Sequence, residues 1–217
     1  MKALKICLYQ ETVCYKKPYA FKVTETFPLP PYSTVIGFLH NILGATEYNE
    51  MQVSVQGAYD GIFTSYNTTR FYHKEDIKSM PLNVHMLYGV NLTLHVVSTE
   101  ETLYKIYEGF KKTSKAFTLG RGEDLARIDK IKFVNLNEID TEDEDDERVL
   151  DNCFYVPTIY KTDLKGVLYK VNKNYKIIND LRRWNKINVN YVEKGESLTE
   201  GRYYLDNDEI ESVVFLA

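Results

Sequence analysis

This chain of 217 residues lacks paired cysteines, a metal-ligand cluster, a long apolar run and a nucleotide-binding loop. Its three cysteines, Cys7, Cys14 and Cys153, are odd in number and show no ligand spacing. That excludes a disulfide framework and a zinc site, and reduced thiols are expected. No apolar stretch nears the roughly 20 residues a membrane helix needs. Residues 1–10 are too short and too polar for a secretory leader, so a cytoplasmic protein is expected. Phosphate loops need a Lys-Ser/Thr pair at fixed spacing from glycine, and none occurs. No metal or other cofactor is expected.

What is present is ordinary in bulk and uneven in distribution. Hydrophobic residues make up 44% and charged residues 27%, within the range of globular proteins. The net charge of −4 is concentrated: Glu138, Asp140 and the acidic residues of 142–147 form a block that reads as a solvated loop. With it set aside the remainder is mildly basic, which permits nucleic-acid binding without requiring it. The 18 tyrosines suit either base stacking or packing in a sheet-rich protein.

Residues 27–44 organise the chain. Pro28, Pro30 and Pro31 force an extended approach. Ser33 and Thr34 supply hydroxyls where a helix should begin, and are expected as its N-cap. Val35, Ile36, Leu39, Ile42 and Leu43 fall at helical spacing, and Gly44 fits the stop. Gly37, inside the helix, predicts a close backbone approach. A helix start of this kind, with hydroxyls and free N–H groups, suits an anion such as a phosphate.

Residues 2–13 read as a first strand and 51–63 as a second with a bend. Residues 64–91 form an excursion of aromatics and basic residues, interrupted at Met80-Pro81, and 87–97 a further strand. Residues 98–101 match a capping box, followed by Leu103, Ile106, Tyr107 and Phe110 on one helical face. Lys111, Lys112 and Lys115 follow at the helix end. Next comes Leu119-Gly120-Arg121-Gly122-Glu123-Asp124-Leu125, where glycines allow close approach and Arg121 could fork onto a phosphate. A strand at 128–136 closes this part. After the acidic loop at 138–148, six short strands lie between 153 and 216, with a helical turn at 179–184.

The order strand, helix, strand, excursion, strand, helix, strand predicts an α+β, ferredoxin-like domain over 1–137, with a β-hairpin thumb at about 64–91. A small β-rich part should occupy 149–217. Modules of this type bind single-stranded RNA on the sheet face or along loops.

The proline-rich entry to the first helix, Leu43-Gly44 at its end and the Gly-Arg-Gly stretch together resemble the paired signatures of the Cas-five family. These are CRISPR-associated proteins of the RAMP superfamily, and the length and the 80–97 segment look most like the type I-B branch. The resemblance implies a non-catalytic subunit of Cascade that caps the 5′ handle of CRISPR RNA. It also implies contacts with the backbone and large subunits, indirect contact with target DNA, and no membrane partner. The residues then expected on RNA are Ser33, Thr34, Lys111, Lys115, Gly120, Arg121 and Gly122. Arg70, His73, Lys74, Met80 and Met86 are expected on the thumb, with the two methionines as wedges.

Two other readings remain open. One branch of the family cleaves precursor RNA with histidine, lysine and tyrosine side chains. His40, His73, His85 and Lys111 are available here without a recognisable constellation. Alternatively the chain is a protein-interaction scaffold that makes no RNA contact.

Overall fold

The computed structural model describes residues 1–20, 23–73, 76–141 and 147–217, apart from the side chain of His73. In chain order the elements are β1 (Lys2–Val13), β2 (Val23–Thr24), α1 (Tyr32–Leu43), β3 (Gln52–Ala58), β4 (Gly61–His73), β5 (Asp76–Val97) and α2 (Glu100–Lys112). They continue with β6 (Phe117–Thr118), β7 (Leu125–Thr141), β8 (Arg148–Val149), β9 (Cys153–Pro157), β10 (Val167–Ile178) and β11 (Leu181–Val192). The last are β12 (Ser197–Leu198), β13 (Gly201–Asp206) and β14 (Val213–Val214). The architecture is mostly antiparallel sheet with two helices.

The central strands lie in the order β3-β5-β1-β7, all antiparallel to their neighbours. Strand β1 sits at the middle, paired with β5 on one edge and β7 on the other. Leu4, Ile6 and Leu8 oppose Val96, Leu94 and Leu92 on β5, and all six are buried. They pack with Val35, Leu39, Leu103 and Ile106 of the helices in the main core. The period of two turns Lys5 and Cys7 to the opposite face.

Part of that opposite face, around Lys5, Ser54 and His95, is covered by the end of the chain. Gln56 Nε2 donates to Val213 O at 2.9 Å, and Phe215 N to Ser54 Oγ at 3.2 Å. Lys5 Nζ meets Asp206 Oδ2 at 2.7 Å and Asp208 Oδ2 at 3.1 Å. His95 Nε2 lies 2.8 Å from the same Asp206 oxygen. Five polar side chains, Lys5, Ser54, Gln56, His95 and Asp206, are thus buried with partners, as burial of polar groups requires.

Most of the C-terminal strands extend the main sheet, while β8 and β12 pair in a two-stranded sheet apart from it. β9, β11 and β10 continue from β3, while β13 and β14 continue from β7. They have a separate core of Leu150, Phe154, Val156, Val192, Tyr203 and Phe215. Strand β7 runs to Thr141 and pairs with β13, Asp140 opposite Arg202, so the acidic stretch begins as a strand rather than a loop. Alternation of Ile139 and Thr141 with exposed Glu138 and Asp140 continues that strand past the expected end. Residues 142–146 lie outside the described residues.

The helices follow their sequence with shifted ends. α2 buries Leu103, Ile106 and Phe110 as its spacing predicts. Its N-cap is Thr99, whose Oγ1 accepts from Thr102 N at 3.3 Å; Ser98, expected to cap, donates instead to Glu50 O at 2.7 Å. The helices cross at Gly109, where a Cβ would stand 2.7 Å from Ile42 O. Gly109, rather than Gly37, is therefore the close approach. No atom lies within 4 Å of a Cβ placed at Gly37. No helix among the described residues is long and apolar enough to cross a membrane.

Candidate nucleic-acid interface

The first helix begins on a proline. Pro31, at φ −56° and ψ 149°, is the N-cap and makes no side-chain cap bond. Its fixed φ carries the extended approach directly into the helix, so Ser33 and Thr34 fall inside the first turn instead of capping it. The approach is anchored from below: Tyr155 Oη donates to Leu29 O at 2.8 Å, and Tyr32 is fully buried. The helix start is held rigidly, and its positive dipole end has no acidic residue in the first turn.

The Gly-Arg-Gly stretch is a tight loop locked onto β1. Gln10 Nε2 donates to Leu119 O at 2.8 Å, and Tyr15 Oη donates to Gln10 Oε1 at 2.6 Å. Asp124, 1% exposed, accepts from Arg121 N at 2.8 Å and Cys14 N at 3.2 Å. Gly120 has φ +117°, and a Cβ there would stand 2.8 Å from Asp124 Oδ2, so only glycine fits.

The Arg121 guanidinium is committed within the protein. Its Nε and Nη2 reach Asp124, its Nη2 also lies 3.2 Å from Met86 Sδ, and its Nη1 lies 3.1 Å from Glu123 Oε1. The Asn67 amide, oriented to accept, takes a further bond from Nη1 at 2.9 Å. The Asp124 hydrogen bond raises the Arg121 pKa above its ordinary value. The fork expected on a phosphate is therefore occupied by Asp124, because a buried carboxylate three residues on competes at closer range.

The two loops meet. Ser33, Thr34, Gly37, Phe38 and Asn41 of α1 face Thr118, Leu119 and Gly120 across one open cleft of about 310 Å³. Arg121, Gly122, Lys111 and Lys115 are not among its lining residues. Lys111 Nζ sits 4.1 Å over the Tyr107 ring, and hydrogen bonding to that tyrosine raises its pKa. Lys115 and Gly122 are exposed.

Residues 61–73 and 76–88 pair as a long hairpin. β4 pairs with β5 from Gly61 opposite Tyr88 to His73 opposite Asp76, and β5 then runs on to Val97 as one strand. Pro81 is tolerated because only Thr68 faces it; β2 pairs on the other side at Asn83 and Val84 only. Arg70 is exposed, as is Met80 at 43%. Met86 is buried against Cys14 and Val84, so it cannot wedge between bases. Lys74 lies outside the described residues.

Both ring nitrogens of His40 are engaged: Nδ1 lies 2.7 Å from Ile36 O, and Nε2 accepts from Asn49 N at 2.8 Å. No group of acidic, histidine and cysteine side chains able to hold a metal ion occurs among the described residues.

A second hairpin, β10–β11, escapes the sequence reading. Its turn holds Asn179 at φ 51° and Asp180 at φ 57°, two adjacent left-handed residues where a helical turn was expected. Asn-Asp between two alternating runs is the turn signal that marks it. Trp184 and Tyr175 face each other across it, 5.2 Å apart, beside a groove along α1.

A mostly antiparallel sheet of this order, with two helices packed on one face and the chain's own tail lying across part of the other, defines the class as an α+β protein. The family model described as CRISPR-associated protein (Cas_Cas5) matches residues 3–185, and the chain belongs to that family. No curated protein matches the chain in sequence. Among solved structures it is similar to a chain of a "CRISPR RNA-guided surveillance complex", with 12% identity, TM-score 0.58, 89% of this chain and 91% of that one covered. It is also similar to a CRISPR protein from Archaeoglobus fulgidus, with 11% identity, TM-score 0.55, and 100% and 99% covered. A chain of a type III-B Cmr-beta complex bound to cognate target RNA gives 10% identity, TM-score 0.50, and 91% and 86% covered.

Proposed function

We propose that this protein is a non-catalytic subunit of a CRISPR effector complex, of Cascade type I-B, that holds the 5′ handle of CRISPR RNA. In that role it sits between the backbone and large subunits. The order β3-β5-β1-β7 with α1 and α2 on one face supports reading its core as ferredoxin-like, with the β4–β5 hairpin as thumb. The observation that carries the RNA reading is the shared cleft between the uncapped start of α1 and the loop at Gly120. Backbone N–H groups and the hydroxyls of Ser33 and Thr34 would meet handle phosphates there. Arg121 then acts by bracing the loop through Asp124. Lys111 and Lys115 add attraction that salt screens. The tail covers the part of the sheet face around Lys5, Ser54 and His95, which favours a path for the RNA along loops.

The test is Ser33→Glu in the reconstituted complex. A carboxylate in the first turn favours the helix but repels phosphate. Handle affinity should fall about tenfold or more while thermal stability holds or rises. Unchanged affinity removes the cleft from the RNA path.

A further inference from the structure

The groove on the other side of α1 has a chemistry of its own. It encloses about 650 Å³ between Gly37, His40 and Asn41 of the helix and the β10–β11 hairpin. Its far wall is aromatic and cationic. Trp184 and Tyr175 are 40% and 39% exposed, and the Arg182 guanidinium lies 4.6 Å over the Tyr175 ring. On the helix side Tyr48 stacks on His40, with centroids 5.4 Å apart and planes 17° from parallel. A register shift between Asn172 and Asn174 leaves Lys173 unpaired in the ladder. That bulge sets Lys173, Asn174 and Tyr175 in succession along the groove.

The charge decides the occupant. Strands β10 and β11 carry Lys170, Lys173, Lys176, Arg182, Arg183 and Lys186, and Asp180 is the one acid between residues 167 and 192. Basic residues interleaved with half-exposed aromatics fit a polyanion with flat faces. The hairpin's partners within the chain, β9 and α1, leave this aromatic face open.

We propose that this groove is a second site for a single-stranded polynucleotide, with bases stacking on Trp184 and Tyr175 and phosphates meeting Lys173 and Arg182. Ser33, Gly37 and Asn41 line both this groove and the Gly120 cleft. With no side chain at Gly37, the ridge between them is low enough for one strand to cross. The site goes beyond the handle reading and stands without it, because stacking and phosphate contact do not require a handle sequence.

Trp184 is the only tryptophan in the chain, so its emission reports this site alone. The full-length protein is titrated with an oligouridine RNA of about ten nucleotides that lacks any handle sequence. Binding is followed by anisotropy and by tryptophan emission together. The expected result is quenching that saturates with the same midpoint as the anisotropy. Trp184→Leu should weaken binding about tenfold, within the range for loss of one stacked base. Lys173→Glu with Arg182→Glu should weaken it further and flatten the salt dependence by about 1.4 in log–log slope, for two lost phosphate contacts. A parallel titration with oligothymidine DNA shows which sugar is preferred, and quenching by either supports the site. Binding without quenching, equal quenching by double-stranded RNA, no binding at all, or affinity untouched by both variants overturns it. Thr34→Glu separates the two readings: Thr34 lines the Gly120 cleft and not this groove, so the change weakens handle binding while Trp184 quenching by oligouridine persists.

Discussion

Arg121 and Asp124 hold each other through two parallel contacts, Nε to Oδ2 at 3.1 Å and Nη2 to Oδ1 at 2.7 Å. Asp124 is buried, whereas Arg121 keeps 19% of its side chain exposed. Removing the arginine leaves a buried carboxylate with only the backbone N–H groups of Arg121 and Cys14. Arg121→Ala should therefore cost about 3 kcal/mol of stability. Asp124→Asn should cost about 2 kcal/mol, because its charge-assisted bonds are lost at constant volume. Urea titration measures both. If the guanidinium braces the loop rather than touching RNA, Arg121→Ala lowers handle affinity with no change in the salt slope. A slope reduced by about 0.7 would return the arginine to a phosphate.

The two helix glycines should respond in opposite directions. At Gly109 an added methyl meets backbone of α1 at Ile42, which cannot yield without moving the helix. Gly109→Ala should lose about 2 kcal/mol through overpacking. At Gly37 the methyl meets nothing within 4 Å, and alanine is the better helix former. Gly37→Ala should gain up to about 1 kcal/mol. Yet it raises the ridge between the two grooves, so RNA affinity should fall as stability rises. Thermal melts and anisotropy on the same two samples check both signs.

The hairpin turn at Asn179-Asp180 makes a third case. Both residues hold positive φ, a conformation that costs non-glycine residues energy. Asp180→Gly should raise the melting temperature, gaining about 0.5 kcal/mol, and Asp180→Val should lower it. If the glycine variant loses stability, the turn is not left-handed at that position.

Much of the fold was legible because local chemistry and tertiary packing agree. The apolar faces of β1 and α2 and the stop at Gly44 follow directly from residue spacing. The errors at the helices share a cause: each needed a partner distant in sequence. Pro31 caps α1 without a hydroxyl because Tyr155, far along the chain, anchors the approach. Gly37 and Gly109 look alike in sequence, and only the helix crossing tells them apart. Arg121 reads as a phosphate ligand until Asp124 is seen to be buried beside it. The proline-rich entry and the Gly-Arg-Gly stretch were legible as a paired signature, and the fold brings Ser33, Thr34 and Gly120 to one cleft. The β10–β11 groove was missed because 167–192 was divided into pieces, which hid Lys173, Tyr175, Arg182 and Trp184 as one surface.

The tail across the sheet should make the protein sensitive to acid in two stages. His95 is fully buried, and burial lowers its pKa below the ordinary 6.5. It is therefore neutral, and Nε2 carries the hydrogen that Asp206 accepts, leaving Nδ1 buried without a partner. The unfolded chain takes up the His95 proton more readily than the folded one, so stability falls as pH drops through about 6.5. Asp206 differs: burial alone would raise its pKa, but hydrogen bonds from His95 and Lys5 hold it down to about 2. Its contribution is present above the ordinary 3.8 and is lost as pH falls from there toward 2. His95→Gln keeps an amide donor for Asp206 and cannot titrate. Urea midpoints measured at intervals from pH 8 to pH 3 should show both losses in the native protein and only the lower one in His95→Gln. A variant that still loses stability near pH 6.5 would place that titration elsewhere, and the tail would then be held by Lys5 without help from the histidine.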